Sequence, residues 1–262
     1  MKIGIVIPAY NEEKRIAKTL QAYSKYFENA RKKGEFDYEL LIVINGTTDS
    51  TPKIVSSFVR KNKRIKSLNL KRGGKGFAVR AGFTNFLKRK FDLIGFVDAD
   101  LATSPEAYNE LISNISNYDG IIASRYIPGA KVSPKPTLAR MFVSRVFNIL
   151  IRVVLFLPYQ DTQCGAKLFK REALGPIMPN LSMSNWAFDV DILFNLQRQG
   201  FKIREYPTTW SDQKYSKINF MQAGPFMALS IIRLGLINSP FRFVMRWYDS
   251  LPSWLKIYNK LR

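Results

Sequence analysis

Leu93-Ile94-Gly95-Phe96-Val97 runs apolar without a break and ends in Asp98-Ala99-Asp100. A short apolar run with β-branched and aromatic residues reads as a strand covered on both faces, and Gly95 counts against a helix. In an extended segment, side chains at i and i+2 share a face. Asp98 and Asp100 are therefore expected to project together at the carboxyl end of a buried strand, where open α/β sheets hold their ligands. Two hard oxygen ligands so placed suit Mg²⁺ or Mn²⁺ that also holds substrate phosphates. The same pair also reads as loop aspartates capping the helix expected after Ser104-Pro105-Glu106.

The rest of the chain repeats this plan. Residues 3–7 and 40–44 are further buried strands, and residues 65–70 a shorter one. Each is followed by a polar or glycine-rich loop and a helix. The first helix carries Ile16, Leu20, Tyr23 and Phe27 as one stripe. Strand and helix alternating four times predict an α/β fold with a mostly parallel sheet between helices. The run Met1-Lys2-Ile3-Gly4-Ile5-Val6-Ile7-Pro8 reads as the first strand and lacks the cleavage region of a signal peptide.

Charge separates the second half. The chain has 41 Lys+Arg against 20 Asp+Glu, a formal net charge of +21, which favours polyanions, anionic membranes or phosphorylated substrates. It has no histidine and one cysteine, Cys164, which excludes Ser-His-Asp and Cys-His machinery, intrachain disulfides and multi-cysteine zinc sites. Between Arg125 and Gln160 stand six basic residues and no acid. Within that stretch an apolar helix is expected over residues 138 to about 157. It is long enough to span a bilayer, but Arg140, Arg145 and Arg152 would each cost ~2.5–3.5 kcal/mol near its centre. An interfacial or core helix fits better. From residue 221 on, six basic residues and one acid alternate with aromatic residues, a composition suited to helices lying in a membrane interface.

Four stretches occur in fixed order: residues 6–13 (VIPAYNEE), 45–51 (NGTTDST), 74–82 (GKGFAVRAG) and Asp98-Ala99-Asp100. Together they resemble the inverting family 2 glycosyltransferases of GT-A fold. Ser124-Arg125-Tyr126, residues 161–169 (DTQCGAKLF) and 186–191 (WAFDVD) narrow the resemblance to the dolichyl and polyprenyl phosphate sugar transferases, nearest the dolichyl-phosphate β-glucosyltransferases. The likeness covers about residues 1–220. Two departures stand out: Ile44-Asn45 replaces a pair of aspartates common in relatives, and Ala102 stands where mannosyl relatives often place a glutamine metal ligand.

The resemblance implies a nucleotide-sugar half (1–125), an acceptor half of the same domain (126–220) and membrane-associating helices (221–262). Pro8, Tyr10, Asn11, Glu12, Asn45 and Asp49 would form the nucleoside pocket, with Lys75 as a phosphate counter-charge. Asp100 would hold the divalent ion, and Asp98 the ribose, the ion or both. The Arg72-Gly73-Gly74-Lys75-Gly76 loop is not a Walker loop, because no Ser or Thr follows the lysine. Each residue also has a plainer reading: Asn11 and Asp49 as helix caps, the glycine loop as a turn. A lipid monophosphate acceptor is already an anion, so the missing histidines need no substitute.

Two anions meeting in one site call for cations around the acceptor. Arg125 sits at a strand end, and Arg140 and Ser144 share a helix face at i, i+4. With Lys214 and Lys217 they form the expected acceptor-phosphate set. Asp189 is expected on the acceptor side, in a helix's first turn, where an acid is favourable anyway. Cys164 reads as a small buried residue.

The expected enzyme works at the cytoplasmic face of a membrane, peripheral or monotopic, and moves one sugar from a nucleoside diphosphate sugar, UDP-glucose in type, to dolichyl or polyprenyl phosphate. Open alternatives are a GDP-mannose-dependent transferase and a transferase to a sugar hydroxyl, which would need Asp189 or Asp191 as general base. A basic nucleic-acid-binding protein would explain the charge but not the paired aspartates, so nucleic acid is not expected as a partner. Oligomeric state is left open.

Overall fold

The computed structural model describes residues 1–134, 138–181, 187–211 and 220–251. The first half alternates as read: β1 (Lys2–Ala9), α1 (Ile16–Lys32), β2 (Asp37–Asn45), α2 (Thr51–Lys61), β3 (Ile65–Leu70), α3 (Lys75–Lys88), β4 (Leu93–Val97), α4 (Pro105–Asn114) and β5 (Gly120–Ser124). Then come β6 (Lys131–Ser133), α5 (Leu138–Leu155), β7 (Ala166–Lys170), α6 (Arg171–Ile177), α7 (Phe188–Arg198), β8 (Ile203–Pro207), β9 (Thr209–Ser211), α8 (Phe220–Ile237) and α9 (Arg242–Ser250).

Seven strands form one sheet in the order β3-β2-β1-β4-β7-β5-β8. β1 pairs parallel with β2 and β4, and β5 parallel with β8, whereas β7 runs antiparallel between β4 and β5. β6 and β9 form a separate parallel pair.

Both faces of the sheet are covered, as uninterrupted apolar strands require. Ile16, Leu20, Tyr23 and Phe27 of α1, Val55 of α2 and Leu111 of α4 pack one face, with Leu93 and Val97 from β4. On the other, Ile94 and Phe96 of the same strand meet Phe83 and Phe86 of α3, Ile151 of α5 and Ile192 and Leu193 of α7. Alternate residues of one strand thus serve two cores. The β1, β2 and β4 carboxyl ends therefore open on one edge, and the loops there carry the residues singled out above.

Ser104 is the residue that caps α4: its hydroxyl accepts the Ala107 amide at 3.2 Å. The aspartates ahead of it are not needed for that task. They also do not lie on the strand. β4 ends at Val97, and Asp98-Ala99-Asp100 form the turn that follows, with Leu101 at φ +63°. The i, i+2 rule of extended backbone thus does not govern them; the turn does.

Candidate active site

Two loops at this edge are laced together. Asn11, with φ +52°, accepts the Thr48 amide on Oδ1 at 2.9 Å, and its own amide donates to Thr47 Oγ1 at 3.3 Å. Asp49 accepts from the Thr51 amide at 2.9 Å and the Glu13 amide at 3.1 Å, so it does hold the start of α2. The Glu12 carboxylate is engaged by Arg15, Nε to Oε2 at 2.7 Å, and Arg15 reaches on to Asp100 Oδ2 at 3.8 Å. Glu12 therefore acts through Arg15, which ties the first loop to the aspartate turn. Pro8 is half-buried and Tyr10 is exposed, leaving the Tyr10 ring open to a ligand.

Asn45 ends β2 and is buried, yet its Oδ1 has no hydrogen-bond partner among the described residues. A buried carbonyl oxygen without a donor is costly, and here it sits beside the loops for which the family resemblance implies a nucleoside. Gly46 (φ +63°) lies against Gly73; a side chain at 46 would press on the Gly73 backbone. Two glycines thereby bring the second loop and the glycine-rich loop into contact.

Asp98 is 39% exposed and accepts Lys75 Nζ on Oδ1 at 2.7 Å. Its amide donates to the Gly165 carbonyl at 3.0 Å. Asp100 accepts the Ala102 amide at 3.0 Å. Burial, then the charge of Asp98, pushes the Asp100 carboxyl above the ordinary 3.8; two carboxylates crowded together invite a cation.

Lys75 opens α3 and sits between two acids, with Asp189 Oδ2 at 3.7 Å on its other side. Burial disfavours its charge, but Asp189 and Asp98 outweigh that and hold the ammonium firmly protonated. Asp189 stands in the first turn of α7 and also accepts Lys167 Nζ on Oδ1 at 2.8 Å. Burial alone would raise the Asp189 carboxyl; Lys167 and Lys75 together bring it below the ordinary 3.8. Asp191 is fully buried and accepts from Asn195 Nδ2 at 2.8 Å, so it is a poor candidate for a base that meets substrate. Burial, with Asp161 nearby, pushes the Cys164 thiol up to about 12, consistent with an inert packing residue.

On the acceptor side, Arg125 is held by buried Asp161. Nε donates to Oδ2 at 2.7 Å and Nη2 to Oδ1 at 2.9 Å, and the Arg125 amide adds a third bond at 2.9 Å. The Arg125 guanidinium, expected as one of a set of cations around the acceptor, is anchored by this pair at the end of β5. It lies over the Tyr126 and Trp210 rings. The Tyr126 hydroxyl is 2.7 Å from Ser144 Oγ on α5, which brings Ser144 into the same neighbourhood. Lys214 and Lys217 lie outside the described residues, as does the side chain of Arg140.

Residues 4–177 match the glycosyl transferase family 2. The chain belongs to that family. A dolichyl-phosphate beta-glucosyltransferase of Dictyostelium discoideum is 33% identical over 242 residues, covering 88% of this chain and 73% of the relative. Its human namesake is 28% identical, covering 92% and 78%. Among solved structures, glucosyl-3-phosphoglycerate synthase of Mycobacterium tuberculosis in complex with Mn²⁺, UDP and glucosyl-3-phosphoglycerate superposes with a TM-score of 0.64 at 19% identity, covering 90% of this chain and 78% of that one. The mostly parallel sheet with flanking helices is thus that of the GT-A glycosyltransferase fold.

For this family 2 glycosyltransferase, the donor set can be tested against a divalent ion. Among the described residues, no three Asp, Glu, His or Cys side chains gather into a cage. Two neighbouring, partly exposed carboxylates remain, with Asp100 strained by Asp98. That fits Mg²⁺ or Mn²⁺, which take one or two carboxylates and complete their shell with water and substrate phosphate. Asp98 and Asp100 would hold the ion.

Arg15, Asp161 and Lys167 have no role assigned from the sequence, although Asp161 and Lys167 lie within the stretch 161–169 that narrows the resemblance. Lys167 is wholly buried on β7. A lysine set among Ala166, Leu168 and Phe169 is a signal in itself, since lysine is almost never fully buried without a partner.

Proposed function

We propose that this chain transfers glucose from UDP-glucose to dolichyl phosphate, with inversion, at the cytoplasmic face of a membrane. The observation that carries the choice of acceptor is Asp189 pinned between Lys167 and Lys75. A carboxylate held below its ordinary pKa is a weak proton acceptor, as a sugar-hydroxyl acceptor would not tolerate. A lipid phosphate oxygen needs no proton removed. It attacks the anomeric carbon, the bond from that carbon to the diphosphate oxygen breaks, and UDP departs. The named activity of the curated relatives supports the same acceptor, and the UDP bound to the M. tuberculosis enzyme supports the donor.

In this reading the first two loops and Asn45 bind the nucleoside, with the Tyr10 ring against the base. Asp98 and Asp100 orient the diphosphate. A divalent ion held there supplies neutralisation of the charge that builds on the leaving diphosphate. Lys75 lends further positive charge on the glycine-loop side. Arg125, set rigidly by Asp161, faces the acceptor region with Ser144; Arg140, Lys214 and Lys217 complete the proposed set.

Membrane contact is assigned to α5, α8 and α9. Val146, Ile149, Val153 and Phe156 are 47–80% exposed along one side of α5 and its end, flanked by exposed Arg145 and Arg152. Phe241, Phe243 and Trp247 are 59–65% exposed on and just before α9. Among the described residues no helix is long and apolar enough to cross a membrane, and an apolar stripe set with arginines suits an anionic bilayer surface.

The test is direct. Purified protein is given Mg²⁺ or Mn²⁺, dolichyl phosphate in detergent, and UDP-glucose or GDP-mannose in separate reactions. The expected result is glucosyl lipid from UDP-glucose. Mannosyl lipid, sugar appearing on a free hydroxyl acceptor, or no lipid product would overturn the proposal.

A further inference from the structure

We propose that Lys167 is a positioning residue that holds Asp189 and the Cys164-Gly165 loop in the geometry the sugar-transfer site needs. The inference deepens the glucosyltransferase reading and rests on it.

β7 is the one strand of the large sheet that runs against its neighbours. Its register sets Lys167 opposite Phe96. The side chain therefore leaves the sheet on the face covered by α3 and α7, between the Phe96 ring and the start of α7. Nζ lies 5.3 Å from the Phe96 ring centre. There it donates to the Cys164 carbonyl at 2.6 Å and to Asp189 Oδ1 at 2.8 Å.

A buried ammonium is tolerated only where good acceptors meet it. These two acceptors lie on separate parts of the site. Through Asp189 Oδ1, Lys167 fixes the carboxylate from behind and leaves Oδ2 on the side of Lys75, 3.7 Å away. Through the Cys164 carbonyl it steadies the loop whose next residue, Gly165, accepts the Asp98 amide. Lys75 closes the circuit by binding Asp98 at 2.7 Å. One hidden charge thus sets the positions of both the donor-side and acceptor-side acids, while touching neither substrate.

A positioning role predicts a pattern distinct from loss of packing. Lys167→Met is expected to lower kcat about 100-fold, the cost of a misplacement near 1 Å. UDP affinity, measured by calorimetry, should fall as well, because the same loop seats Asp98 on the donor side. Lys167→Arg, which keeps the charge and can reach both acceptors, should recover kcat to within about tenfold of the parent. In an Asp189→Asn background, Lys167→Met should cost less than about threefold more, because groups acting as one unit are not additive.

Unchanged kcat in Lys167→Met overturns the proposal. So do costs that multiply in the double variant, unchanged UDP affinity, or a Lys167→Arg variant no more active than Lys167→Met. If the parent fails to transfer glucose to dolichyl phosphate, the acceptor reading falls by itself. Calorimetry with UDP still judges the role of Lys167: weaker binding in Lys167→Met, recovered in Lys167→Arg, is the expected result, and unchanged binding overturns it.

Discussion

Gly165 lies directly against the carboxylate of Asp98: a Cβ at that position would overlap Oδ2 and Cγ of the acid. The missing side chain is what gives Asp98 its place. Gly165→Ala must therefore push Asp98 aside or move the loop, and both disturb the donor site. The expected outcome is a loss of kcat/KM of about 100-fold, the scale of a 1 Å displacement of a catalytic group. The far-ultraviolet circular dichroism should be unchanged. Activity near that of the parent would show that Asp98 does not need this geometry.

Asn45 offers a second check. Its buried Oδ1 lacks a donor among the described residues, so Asn45→Leu removes an uncompensated polar group. Melting temperature should hold or rise, while affinity for UDP should fall about tenfold if the nucleoside supplies the missing donor. Calorimetry with UDP measures this. An unaltered dissociation constant would remove Asn45 from the nucleoside pocket.

The ionisation of Asp189 makes a prediction about pH. Burial opposes its charge, but Lys167 and Lys75 hold its folded-state pKa below the ordinary 3.8 of the unfolded chain. A depressed carboxyl stabilises the fold fully above the unfolded value, and that contribution is lost as pH falls through the folded value. The gap in melting temperature between the parent and Asp189→Asn should be flat from about pH 7 to about pH 5 and close below the ordinary carboxylate range. A gap that closes near neutrality would mean Asp189 takes up a proton there, and would revive it as a general base.

Membrane docking rests on exposed apolar side chains. Ile149 and Val153 are 59% and 65% exposed on α5. Replacing both by Asp should weaken binding to anionic vesicles about 100-fold or more, since burying each such side chain contributes ~1.5–3 kcal/mol. Turnover of a short, water-soluble polyprenyl phosphate should be preserved. Equal binding of the parent and the double variant in a flotation assay would place the membrane contact elsewhere.

What the order of residues determined by itself is local or repetitive. Uninterrupted apolar runs at residues 3–7, 40–44 and 93–97 allow little but strands covered on both faces, and the helices between them force a parallel sheet. That places Asn11, Asn45, Lys75 and Asp98, in or beside the connecting loops, at one edge before any coordinates are known. What only the tertiary structure decided are partnerships between residues far apart in the chain. The reversed direction of β7 turns a lysine toward an acid 22 positions away, and Arg125 meets an aspartate 36 positions away. Charge pairing in a buried site depends on which strands become neighbours and in what register, and neither composition nor periodicity carries that information.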